Sequence, residues 1–222
     1  MYNISGIFTR HQEIGICNSF ELLKIVEKIS PEIIFEELQY SVFNEIYKEK
    51  GRTTLETNTI KKYLQSHSIK HIPVDTYDQP KSHEEECYNM LNKVSSQASM
   101  ESFQYRGKID HLSYLESHFG FDFLNSDQND KILEEIDILK ERILKSINDE
   151  NLFRIATLEK EIVEKRENRI LDNIYNFSKE HLYKQALLFI GSAHRKSIIK
   201  KIKTIRKQEK LIINWSLLGS SF

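Results

Sequence analysis

The sequence predicts an α/β fold, a mostly parallel wound sheet with long inserted helices, in a single domain over residues 1–222 with a helical insertion at 81–181. Three observations carry this prediction. In the amino-terminal third, short runs rich in Ile, Val and Phe alternate with amphipathic stretches of helix length, the pattern of right-handed parallel crossovers. Beyond Pro80 the chain turns to long polar, helix-forming segments. Near the carboxyl end Ala186, Leu187, Leu188, Phe189 and Ile190 follow one another without a polar interruption, as in a strand buried on both faces.

In chain order, residues 3–9 (NISGIFT) place Ile4, Ile7 and Phe8 around a glycine and read as a short strand, followed at once by polar Arg10, His11, Gln12 and Glu13. Gly15 and the Asn18-Ser19 pair lead into a helix, with Ser19 as its expected cap and an amphipathic repeat through Leu22, Ile25, Val26 and Ile29 that Pro31 ends. Residues 32–38 (EIIFEEL) form a second strand whose acids lie at its far end. A helical region from about residue 42 to 66 is divided by Gly51, and residues 70–74 (KHIPV) give a third strand stopped by Asp75.

In the helical stretch, breaks are expected near Arg106-Gly107 and Phe119-Gly120, and residues 121–130 read as a turn. From Lys131 to His181 apolar residues recur at helical spacing (Ile132, Ile136, Leu139, Ile143, then Ile155, Leu158, Ile162), with an interruption around Asn148 to Asn151. Two packed helices fit this better than a coiled coil, because the repeat is not strictly heptad. They could cover a cleft or form a homodimer surface. After the Ala186 run, Gly191 turns the chain and delivers Ser192, His194 and Arg195 to the carboxyl edge of the sheet, where open α/β folds have their crevice. Basic residues crowd 195–210, and apolar residues 211–218 could make a last strand.

A net charge of -1 leaves no global field to favour nucleic acid or an anionic membrane, and nucleic acid could engage only the basic segment 195–210, which lacks interleaved aromatics. Seven Gly and three Pro leave little material for a flexible linker. Cys17 and Cys87 are too few and too far apart for a disulfide scaffold or a CxxC zinc site, so a reduced, cytoplasmic setting is expected. The first residues lack the basic start and apolar core of a signal peptide, and no later run is long enough to span a bilayer. His67, His71 and His83 show no ligand spacing on a shared face and read as surface or packing residues.

Residues 9–13, Glu36-Glu37, residues 75–78 and His194 each follow an apolar strand, and parallel order brings these four ends to one sheet edge. Imidazoles and carboxylates meeting there could bind a divalent metal that polarises an oxygen or activates water.

Three matches give the chain a resemblance to the TraB/GumN proteins, within the EreA/ChaN-like α/β group that includes the Tiki-type metal-dependent proteases. Pro31-Glu32-Ile33-Ile34-Phe35-Glu36-Glu37-Leu38 is similar to the family's Pro-Asp, hydrophobic strand, Glu-Leu segment and aligns Glu37 with the family's acid. Arg166-Glu167-Asn168-Arg169-Ile170, followed by Ala186 to His194, resembles its Arg-bearing helix and its strand ending in Gly-x-x-His. Ile72-Pro73-Val74-Asp75 resembles its intermediate strand with terminal Asp. The resemblance implies a metal-dependent hydrolase of a peptide, ester or related bond in a small-molecule or peptide substrate. It implies that Glu37, His194 and His11 or Glu13 hold the metal (manganese, cobalt or zinc) or activate its water, that Asp75 orients a ligand, and that Arg166 or Arg169 stabilises developing negative charge. One departure bears on the chemistry: the family's first strand also ends in Gly-x-x-His, whereas here Gly6-Ile7-Phe8 is followed by Thr9, with the imidazole displaced to His11. The competing class is a noncatalytic interaction protein using its basic carboxyl segment. A looser match, Arg106 and His111 at the Arg-x4-His spacing of HEPN ribonucleases, is a short pattern common by chance.

Overall fold

Side chains alternate faces along a strand, so an uninterrupted apolar run needs helices on both sides of its sheet. The computed structural model, which describes residues 2–48, 53–75 and 81–219, has this arrangement. Strands β1 (Tyr2–Thr9), β2 (Ile33–Gln39), β3 (Lys70–Asp75), β4 (Gln185–Gly191) and β5 (Ile213–Leu217) form one sheet in the order β3-β2-β4-β1-β5. Every pairing is parallel. The Ala186 run is central: β4 pairs with β1 from Asn3↔Gln185 to Thr9↔Gly191 and with β2 from Ile33↔Ala186 to Glu36↔Phe189. Leu187, Leu188, Phe189 and Ile190 are 0–1% exposed, and each contributes about 1.5–3 kcal/mol by leaving water.

The helices are α1 (Ser19–Ile29), α2 (Tyr40–Lys48), α3 (Leu55–Tyr63), α4 (Lys81–Ser95), α5 (Met100–Leu124), α6 (Asp127–Ile147), α7 (Glu150–Glu180) and α8 (Arg195–Gln208). On one face of the sheet Ile7, Ile34, Leu187 and Phe189 pack with Leu22 and Val26 of α1, Leu55 and Ile60 of α3, and Phe121 and Leu124 at the end of α5. On the other, Ile4, Phe8, Phe35, Leu188 and Ile190 pack with Ile170, Leu171 and Ile174 of α7 and Ile198 and Ile202 of α8. Helices α4 to α7, between β3 and β4 in the chain, also build a core of their own around Val94, Tyr105, Ile136, Ile143, Leu152 and Ile155.

Several local expectations need correction. Asn18, not Ser19, caps α1: its side chain accepts from the Phe20 and Glu21 amides. Helix α5 runs straight through Arg106-Gly107, since a glycine with helical neighbours weakens a helix without breaking it. The break is at Gly120 (φ 52°), after which residues 121–124 are helical rather than a turn. Ser126 then caps α6, left-handed Asn148 ends it, and Asp149 caps α7. Gly51 lies outside the described residues.

Candidate functional site

With a period of two, adjacent acids at the end of β2 must point to opposite faces. Glu36 turns toward α2, accepting a hydrogen bond from Tyr47 Oη (2.5 Å), and pairs with His71 Nδ1 at 2.7 Å. Glu37 turns toward α7, where Arg166 Nη2 donates to its Oε1 at 3.0 Å. Arg166 also donates to Asp75 Oδ2 from Nε (3.0 Å) and Nη2 (2.7 Å), so two strand ends hold one guanidinium. The amide of Gly191, at the end of β4, donates to Glu37 Oε2 at 2.7 Å. The short turn Ser192–His194 then swings His194 back across the edge, with Nε2 3.3 Å from Glu37 Oε1 and Nδ1 2.8 Å from Glu167 Oε1. Glu167 Oε2 accepts from Ser197 Oγ (2.5 Å) and pairs with Lys201 (3.1 Å).

The sheet edge therefore gathers Glu37, Asp75, Arg166 and His194 from β2, β3, α7 and the turn after β4. Burial by itself would raise the Glu37 carboxyl, but the hydrogen bond and charge of His194, the Gly191 amide and Arg166 hold it down at about 2. Burial would lower the His194 imidazole, yet its hydrogen bonds to Glu167 and Glu37 outweigh this and raise it to about 9. At neutral pH the pair is a carboxylate and an imidazolium.

A cavity of about 230 Å³ opens against this edge, lined among others by His11, Glu37, Glu56, Asp75 and Arg166. Glu56, from the first turn of α3, is 8% exposed; its Oε1 accepts from Thr9 Oγ1 at 2.7 Å and lies 3.3 Å from His11 Nδ1. Its Oε2 is buried without a hydrogen-bond partner. The hydrogen bond to Glu56, first among several effects, raises the pKa of His11. Thr9 thus anchors the carboxylate that His11 meets from the rim, with an imidazole side chain 61% exposed. A second cavity, about 930 Å³, lies along Arg166, Glu167, His194 and Lys201.

Other expected site residues stand elsewhere. Glu13 is exposed and accepts from the Ser19 amide at 3.1 Å, closing the start of α1. Arg169 is exposed on α7 and lines neither cavity. Arg195 is 1% exposed: it turns inward to Asp127 and Asp130 of α6, its guanidinium 6.0 Å from the Phe8 ring. In the basic segment, Lys196 pairs with Glu134 and Lys201 with Glu167. Asp78 lies outside the described residues. Glu56 was not foreseen, because nothing in a Thr-rich helix start marks an acid that tertiary packing brings to the edge.

The metal ligands implied by the resemblance are not gathered into one cluster at this edge: His194 lies between Glu37 and Glu167, His11 meets Glu56, and Glu13 is engaged at a helix start. Among the described residues, the group of three His, Cys, Asp or Glu ligand atoms lying within 4.8 Å of one another is His83, Cys87 and Glu159, and it could hold a metal ion. His83, which in the sequence shares no ligand spacing with His67 or His71, sits one turn from Cys87 on α4, and both meet Glu159 of α7. Cys87, its thiol pushed up to about 12 by burial and by Glu159, donates to Glu159 Oε2 at 3.3 Å. No described helix is long and apolar enough to cross a membrane. Compared with protein-family models, with curated proteins and with solved structures, the chain matches none.

Proposed function

We propose that the carboxyl edge of the sheet is the active site of a hydrolase of the TraB/EreA/ChaN-like kind, which cleaves a peptide, ester or related bond in a small or peptide substrate. The observation that carries this reading is that one cavity is lined both by an arginine fixed between two carboxylates and by Glu56, whose Oε2 is buried without a hydrogen-bond partner. Arg166, tethered by Glu37 and Asp75, presents positive charge to a carbonyl oxygen as it becomes negative. Glu56 Oε2 takes a proton from attacking water, and His11, at the rim and with its charged form favoured, returns one to the leaving group. His194 and Glu167 are positioning residues here, since they brace Glu37. The divalent metal that the resemblance implies has no step at this edge. A cytoplasmic setting is part of the proposal and suits two unbridged cysteines.

The test is turnover of chromogenic esters and short labelled peptides by the full chain. Glu56→Gln is expected to lower kcat/KM by on the order of a hundredfold or more with an unchanged circular dichroism spectrum. Turnover undiminished in Glu56→Gln, or a folded wild type inert toward the whole panel, would sink the reading.

A further inference from the structure

The His83, Cys87 and Glu159 cluster stands apart from the sheet edge and asks for its own explanation. His83 and Cys87 are four residues apart on α4, so their side chains share one face, and that face packs on α7 at Glu159. The three ligand atoms form a small triangle: His83 Nε2 to Glu159 Oε2 is 2.9 Å, Cys87 Sγ to His83 Nε2 is 3.4 Å, and Cys87 Sγ to Glu159 Oε2 is 3.3 Å. Bonds of about 2.0–2.3 Å at tetrahedral angles separate the ligand atoms of zinc by about 3.4–3.6 Å. The triangle is thus one face of such a tetrahedron, to be opened by about 0.5 Å or less.

The surroundings agree. His83 is 4% exposed, and its Nδ1 is buried without a hydrogen-bond partner. Glu86 Oε2 lies 3.9 Å from that Nδ1, close enough to accept its proton after a small rotation once Nε2 binds a metal, the carboxylate-histidine-metal arrangement that fixes a ligand ring. The side chain of Glu159 is 36% exposed, so the cluster meets solvent on that side. A set of one sulfur, one nitrogen and one oxygen selects zinc over magnesium, calcium or manganese, which prefer oxygen alone.

We propose that His83 Nε2, Cys87 Sγ and Glu159 Oε2 bind one zinc ion, with solvent as the fourth ligand, and that the ion fastens α4 to α7. Glu159 and Arg166 are seven residues apart on α7, about two turns, so the fastening fixes the part of the helix that carries Arg166 and Glu167 to the sheet edge. The proposal is independent of the hydrolase reading and requires no turnover to be seen.

The test uses the full chain purified without chelator. Elemental analysis is expected to find one zinc per chain. Exchange with cobalt should give the visible bands of tetrahedral cobalt together with a thiolate-to-cobalt charge-transfer band. Cys87→Ser and Glu159→Gln should each weaken zinc binding by on the order of a hundredfold or more, whereas Cys17→Ala should leave it unchanged. Circular dichroism confirms that each variant is folded, and Glu159→Gln stands in should Cys87→Ser fail to fold. Absence of stoichiometric zinc overturns the proposal. So does zinc that stays bound in Cys87→Ser and Glu159→Gln, or that is lost only when Glu37 is replaced.

Discussion

His194 is the residue on which the sheet edge turns, and its ionisation makes stability depend on pH. Its value is raised to about 9 from an ordinary 6.5, so the stabilisation it provides is full below pH 6.5 and is lost as pH rises toward 9. Glu37, held at about 2 against an ordinary 4.5, contributes in the opposite sense: fully above pH 4.5, with loss as pH falls toward 2. Between pH 4.5 and 6.5 both contributions are intact. Wild-type stability from chemical denaturation is therefore expected to fall by about 2–3 kcal/mol between pH 6 and pH 9.5 through this group. His194→Gln, which cannot titrate, should start lower by a similar amount and lack most of that slope. Equal slopes in the two proteins would show that some other group governs the alkaline limb. Glu37, Asp75, Arg166 and His194 were legible in the sequence because each lies just past an apolar strand or on the helix that carries the Arg motif. Glu56 and Glu159 were not, since each reaches its partners through helix packing, with Thr9 and His83 respectively, and no spacing records a contact across 47 or 76 residues.

At the scale of elements, helix α5 contains two glycines with opposite consequences. Gly120 has φ 52° and ψ -133°, a backbone region that side chains avoid, and a Cβ there would stand 3.1 Å from Ile16 Cγ1. Gly107 lies within the same helix, and a Cβ there would meet nothing within 4 Å. Gly120→Ala should therefore cost about 2 kcal/mol, whereas Gly107→Ala should stabilise by about 0.5–1 kcal/mol, because alanine surrenders less backbone entropy on folding. Thermal unfolding of the two variants checks both signs; a loss at Gly107 would mean that the helix is not regular there. Both glycines read alike in the sequence as breaks. Only the packing of residues 121–124 against the sheet, with Phe121 and Leu124 in its core, separates the kink from the uninterrupted turn.

At the scale of the whole molecule, the strand order places the site. Strand β1 leads into α1 and β2, by way of α2, into α3 on one face, whereas β4, between them, leads into α8 on the other, so the chain parts to opposite sides beside β4 and leaves its crevice there. The sequence indicated parallel crossovers but could not place β4 between β2 and β1, because its apolar run would suit any interior position. Helix α7 then ties the two halves together: Leu152 and Ile155 belong to the helical core, and Ile170, Leu171 and Ile174 to the sheet core. A rigid helix shared by two cores makes them unfold together, since neither can release it without exposing its own apolar surface. Ile143, 0% exposed in the helical core, tests this coupling at a distance from the sheet. Ile143→Ala should destabilise by about 2–5 kcal/mol. Trp215, the chain's one tryptophan, is buried in the sheet core and reports on that half by fluorescence, while far-ultraviolet circular dichroism is dominated by the helices. The two signals are expected to move together to a lower denaturant midpoint in Ile143→Ala. If the dichroism shifts while the fluorescence midpoint stays at its wild-type value, the helical layer unfolds independently, and a metal ion gripping α7 at Glu159 could not steady Arg166 at the sheet edge.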